Sequence, residues 1–147
     1  MKAAEFFTKE QKKQITDAIK EAELNTSGEV RVHVEMDCKE DVLDRAAFWF
    51  EKLKMHKTEL RNGVLFYLSI NDRKFAILGD AGINAVTPKN FWDEIKETVI
   101  GHFKKDEYAQ GLSKGIKMAG QALQEHFPYQ KDDINELSDD ISFGKKD

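Results

Sequence analysis

Gly63-Val64-Leu65-Phe66-Tyr67-Leu68-Ser69-Ile70, then Asn71-Asp72-Arg73, then Lys74-Phe75-Ala76-Ile77-Leu78, is the stretch that decides the fold. From Val64 to Ile70 the run is apolar on both alternating faces, as in a central strand covered by other layers on both sides. It is far too short for the roughly 20 apolar residues that cross a bilayer. Three turn residues allow only a tight connection, so the second apolar run must return antiparallel. Upstream, Glu29-Val30-Arg31-Val32-His33-Val34-Glu35 alternates strictly and predicts a strand with its three valines on one face. Between the two strands, Leu43, Ala46, Ala47, Phe50 and Leu53 recur at helical spacing. A strand–helix–strand unit of this kind predicts a parallel crossover.

The remaining segments supply helices. Thr8 followed by Gln11 has the spacing of a capping box, and Ile15, Ala18, Ile19 and Ala22 then form one apolar stripe that ends before Ser27-Gly28. Thr87-Pro88 suits a helix start, with Trp92, Ile95 and Val99 as its buried side. Asp106 suits the cap of another helix carrying Leu112, Ile116, Ala119 and Leu123, which Phe127-Pro128 closes. Gly111, Gly115 and Ala119 leave a smooth ridge for close packing, and a short further strand is expected near Ala85-Val86. The expected architecture is a three-layer α/β/α sandwich with a small mixed sheet and about four helices. One domain spans residues 1–129. The acidic tail 130–147 holds Asp132, Asp133, Glu136, Asp139, Asp140 and Asp147 against three lysines and is expected to stay mobile. Ile134, Leu137, Ile141 and Phe143 give part of it the means to dock.

Composition narrows the function. The 147 residues are 40% hydrophobic and 34% charged, with a net charge of −4. That balance gives a globular chain and disfavours nucleic acid or an anionic membrane as partner, since both need a basic face. Cys38 is the single cysteine, so no internal disulfide forms, and a reducing compartment is expected. The charged N-terminus has no apolar signal segment, which sets the expectation of a cytoplasmic location. A monomer with a protein partner of unknown identity is the expected state.

Arg61-Asn62-Gly63-Val64-Leu65-Phe66-Tyr67-Leu68 and Asp72-Arg73-Lys74-Phe75-Ala76-Ile77-Leu78-Gly79-Asp80-Ala81-Gly82-Ile83 resemble the signature of the TPM-domain family. Phe91-Trp92, Phe103, Tyr108, Gly111-Leu112 and Phe127-Pro128 fall at matching places, and Asp132-Asp133-Ile134-Asn135-Glu136-Leu137 is similar to the end of stand-alone bacterial members. The resemblance covers roughly Phe6 to Pro128 and implies a Rossmann-like sandwich. It also implies binding of calcium or magnesium and an associated acid phosphatase activity. Family members include thylakoid-lumen proteins linked to photosystem II repair and accessory proteins of receptors, often exported or membrane-anchored. This chain departs from the pattern after Gly82-Ile83: Asn84 stands where many members carry a carboxylate.

The residues themselves point to the same edge of the sheet. No Gly-x-Gly-x-x-Gly, P-loop, His-Glu-x-x-His, Gly-x-Ser-x-Gly or paired-cysteine pattern is present, and His33, His56, His102 and His126 lie on separate segments. An antiparallel third strand brings its exit at Gly79-Asp80-Ala81-Gly82 beside the entrances of the other two, near Glu29 and the loop from His56 to Asn62. Asp80, Glu29 and Glu59 are therefore expected to approach one another, with Asn84, Asn62 and backbone carbonyls as further oxygen donors. Oxygen ligands of this kind suit Ca2+ or Mg2+. The plainer alternative has Asp80 capping a turn while Glu29 and Glu59 are solvated or paired with Arg31 or Arg61. Asp37, Glu40, Asp41 and Asp72 form a second acidic group at the opposite edge, explained by a helix cap and a turn. Three functions follow: a divalent-metal-binding regulatory or interaction module, a metal-assisted phosphatase acting on phosphomonoesters with Arg61 or Arg73 balancing charge, and an accessory domain that binds a partner without metal through its acidic tail.

Overall fold

The stretch 63–79 forms a hairpin in the computed structural model of the chain, which describes residues 1–129 and 137–144. Strand β2 (Gly63–Ser69) is buried along its whole length and pairs antiparallel with β3 (Lys74–Gly79), Val64 facing Gly79 and Ser69 facing Lys74. Strand β1 (Glu29–Glu35) runs parallel to β2, with Glu29 opposite Gly63 and Glu35 opposite Ser69. Helix α3 (Val42–Lys52) makes the crossover between them, and the sheet order is β3-β2-β1-β4.

Two apolar clusters fill the two faces of this α/β sandwich. The larger joins Val30, Val32 and Val34 of β1 to helices α2 (Lys9–Glu23), α5 (Asp93–Phe103) and α6 (Tyr108–His126), with the short α1 (Ala3–Phe6) at its rim. The smaller packs Ala46 and Phe50 of α3 onto Leu65, Tyr67 and Ala76. The Thr8 capping box forms as expected, Thr8 accepting the Gln11 amide and Gln11 the Thr8 amide. The glycine ridge of α6 serves helix–helix packing: a side chain at Gly115 would meet Val99 of α5 at 2.4 Å.

Four local expectations are corrected. The fourth strand is not at Ala85-Val86, which follow the one-turn helix α4 (Ala81–Asn84); it is β4 (Ser142–Phe143), added parallel to β1. The third long helix does not start at Thr87-Pro88. The Thr87 hydroxyl donates back to the Ile83 carbonyl, turns fill the interval, and α5 begins at Asp93. Asp106 does not cap α6, because it adopts a left-handed backbone (φ 61°) and Glu107 takes the cap position. On α3, Leu43 and Ala47 are exposed, and the buried side is Val42, Arg45, Ala46, Trp49 and Phe50, turned so that Arg45 and Trp49 reach the sheet.

Residues 137–144 lie along β1, Leu137 joining the smaller cluster while Ile141 and Phe143 pack on the larger. Asp132, Asp133, Ile134, Glu136 and Asp147 of the acidic tail lie outside the described residues. No helix among the described residues is long and apolar enough to cross a membrane.

Candidate functional site

At the edge where β3 ends and β1 and β2 begin, Glu29, Gly63 and Asp80 occupy successive positions of one row, as the strand directions require. Asp80 is buried, caps α4 by accepting the Ala81 amide at 2.7 Å, and donates its own amide to the Gly63 carbonyl. Arg61 closes on it from the loop before β2. Nε reaches Asp80 Oδ2 and Nη2 reaches Oδ1, each at 2.8 Å, in the fork geometry that carboxylates favour. This hydrogen bonding and the Asp80 charge hold the Arg61 pKa above its ordinary value. The arginine sits at φ 51°, and its carbonyl accepts the Gly82 amide at 2.9 Å, so loop and helix are fastened by both backbone and side chain.

Asp80 opens onto a cleft of ≈ 430 Å³ shared with Glu51, His56, Arg61 and Asn84. Asn84 donates to the Gly79 carbonyl at 3.2 Å through its amide nitrogen, so its amide oxygen can serve as an acceptor or cation ligand. Asp80 and Asn84 are thus brought together. Glu29 is not part of the cleft lining: its Oε1 accepts the Leu137 amide at 2.6 Å. Glu59 lies exposed in the turn before Leu60, also outside the lining, and Asn62 points its amide at Ser27. Arg73 stands elsewhere, 4.0 Å from Asp106. Among the described residues no three His, Cys, Asp or Glu side chains are grouped to hold a metal. A hard cation at Asp80 would have to displace the guanidinium now bound there, with Asn84 as a neighbouring side-chain oxygen.

The other sheet edge behaves as a helix cap and a turn. Asp41 accepts the Leu43 and Asp44 amides, and Asp72 accepts from Cys38 and Ser69. Beneath α3 lies a group that sequence reasoning missed. The buried Glu35 accepts from Tyr67 (2.7 Å), Trp49 (2.9 Å) and both forks of Arg45 (2.8 and 2.9 Å), and His33 stacks on Trp49. Burial alone would raise the Glu35 pKa, but His33, 4.0 Å away, and hydrogen bonds from Arg45 and Tyr67 outweigh it and hold the carboxyl well below its usual range. The period-two pattern of β1 carried a signal for this group, since Glu29, Arg31, His33 and Glu35 share one face, yet that face is buried.

The TPM domain family's sequence profile matches residues 1–122. The chain belongs to the TPM domain family. The BA42 protein of the psychrophilic bacterium Bizionia argentinensis, solved by NMR, is similar to this TPM domain at 50% identity and TM-score 0.90, covering 95% of this chain and 97% of that one. The N-terminal domain of a P. gingivalis protein shares the fold at 20% identity and TM-score 0.69, over 84% of this chain and 80% of that domain. Among curated proteins, none matches.

Proposed function

We propose that this TPM domain is a regulatory interaction module controlled by a divalent cation, in which calcium or magnesium takes the place of Arg61 at Asp80. The observation that carries this reading is a buried carboxylate facing an open cleft while held by an arginine that is itself half-exposed. The Arg61 side chain is half-exposed, so a released guanidinium returns to water, while the arriving cation takes over the charge balance that the buried Asp80 carboxylate requires. Asp80, Asn84 and the cleft carboxylate of Glu51 offer the oxygen donors that hard cations prefer. Freeing Arg61 would loosen the 59–62 loop from α4 and change the surface offered to a protein partner.

The test is a calcium titration of chelator-treated protein followed by amide NMR, with magnesium alongside. Saturable shifts centred on residues 79–84 and 59–62 are expected, and Asp80→Asn should abolish them. The exchange also predicts that Arg61→Gln tightens binding, because the cation no longer competes with a guanidinium for both Asp80 oxygens. A flat titration of the wild-type protein would end the cation reading.

Phosphomonoester hydrolysis is the second reading, favoured by Arg61 and His56 lining the same cleft. There an arginine can hold phosphoryl oxygens, and a bound cation supplies Lewis-acid chemistry. Metal-dependent turnover of p-nitrophenyl phosphate that survives several columns and is lost in Asp80→Asn would rank it first.

A further inference from the structure

The face of β1 under α3 carries Glu29, Arg31, His33 and Glu35, a polar row where a strand so deeply placed ordinarily carries apolar side chains. Glu29 and His33 are met by residues 137–144. Glu29 accepts the Leu137 amide at 2.6 Å, and His33 Nδ1 and Ser142 Oγ lie 2.9 Å apart in a hydrogen bond. Asp140 lies within electrostatic reach of Arg31, and Asp139 hydrogen-bonds Glu23 of α2. Lys12 stands 5.3 Å over the Phe143 ring, and Gly144 donates its amide to the Val34 carbonyl at 3.0 Å. The contacts of Ser142, Asp139, Asp140 and Phe143 use side chains and so depend on the segment's sequence, whereas the Leu137 and Gly144 amides make bonds that any residue but proline could supply. A strand that merely covered an edge would need only main-chain bonds and apolar contact.

The same segment is weakly integrated. Its register with β1 covers two residue pairs, against seven between β1 and β2. Leu137, Ile141 and Phe143 are each only partly buried. Pairing so short opens without unfolding the sheet it borders.

We propose that the outer edge of β1 is a strand-accepting site for an extended segment of a partner protein, which residues 137–144 occupy in cis. The partner segment adds parallel to β1. Its chemistry copies the resident one: an apolar residue, then acids, then an apolar–hydroxyl–aromatic triplet ending in a small residue. Main-chain bonds supply affinity and the polar row supplies selectivity, as in other strand-addition complexes. This inference stands apart from the cation reading, since none of the residues it uses lines the Asp80 cleft.

Two measurements test it. In native-state hydrogen exchange of the wild-type chain, the Leu137 and Gly144 amides should exchange at least ~100-fold faster than those of β2, as sub-global opening requires. Equal protection would make the segment an integral strand and overturn the proposal. In the second, an unlabelled peptide of residues 137–144 is titrated into labelled chain carrying Ile141→Ser and Phe143→Ser. Saturable shifts at residues 29–35 and at Lys12 are expected, and a scrambled peptide should give none. Binding to the wild-type chain should be at least ~10-fold weaker, because the resident segment competes at an effective concentration on the order of millimolar. Absence of shifts at millimolar peptide overturns the proposal. A concentration-dependent dimer exchanging the segment would assign the edge to a second copy of the chain and overturn the partner assignment. Should the double variant fail to fold, the exchange measurement on the wild-type chain decides.

Discussion

Glu35 shows how one buried carboxylate fixes the position of a helix. Its four donors come from Tyr67 on β2 and from Arg45 and Trp49 on α3, so the charge joins sheet to helix beside the apolar cluster of Ala46, Phe50, Leu65 and Tyr67. Glu35→Gln offers a neutral acceptor and an unwanted donor to the same partners. Hydrogen bonds to charged groups contribute about 1.5–3 kcal/mol, and the loss should lie in that range, read as a lower urea midpoint at neutral pH. The sign with pH follows from the depressed pKa. Glu35 contributes stability above the ordinary carboxylate range, and that contribution disappears as acid protonates it. The variant should therefore lose less stability than the wild type between about pH 5 and pH 3. Parallel acid limbs in the two proteins would show that the charge of Glu35 contributes nothing.

Between elements, the contact that builds the candidate site is the approach of α4 to the loop before β2. A Cβ on Gly82 would lie 2.1 Å from the Leu60 carbonyl oxygen and 2.7 Å from that of Arg61, both backbone atoms with no rotamer to move. Gly82→Ala must push α4 away and pull Asp80 off Arg61. Overpacking of this kind costs about 1–3 kcal/mol. Denaturant unfolding reads that cost, and loss of the hydrogen-bonded Arg61 Nε proton signal reads the broken pair. An intact Arg61 signal in a fully stable variant would refute the account. The strands, the Thr8 capping box and the hairpin turn were legible because each rests on neighbours within a few residues. So was the placing of Asp80 beside the entrances of β1 and β2, which follows from strand direction alone. The start of α5 was not legible, because the Thr87 hydroxyl serves the preceding turn instead of a following helix. The pairing of Arg61 with Asp80 was not legible either: it depends on a left-handed arginine, where sequence led the eye to the nearest acids, Glu29 and Glu59. Strand β4 lay hidden because its partners Val34 and His33 are more than 100 residues away and its own segment reads as a charged tail.

Across the whole molecule, the two sides of β1 hold carboxyl groups displaced in opposite directions, and that shapes how stability depends on pH. Glu23 is pushed up to about 9 by burial, by its hydrogen bond with Asp139 and by the nearby charges of Asp139 and Glu29, although the Val30 amide works against the rise. The folded chain therefore keeps a proton at Glu23 that the unfolded chain has already released above the ordinary value of 4.5. Its contribution is complete below that value and is lost as pH rises through the folded-state value. Glu35 has the opposite sign, so the two together favour a stability maximum on the mildly acidic side of neutrality. Glu23→Gln separates them, because its amide can donate to Asp139 at every pH while its oxygen still accepts from Val30. The variant should flatten the alkaline limb between about pH 6 and pH 9, where one group gives a slope no steeper than about 1.4 kcal/mol per pH unit. It should leave the acid limb unchanged. The methyl signals of Leu137 and Ile141 should shift along the same alkaline limb in the wild type and stay fixed in Glu23→Gln, since the shared proton joins α2 to the segment that carries them. Identical alkaline limbs in the two proteins would show that Glu23 holds no such proton and that residues 137–144 are secured by other contacts.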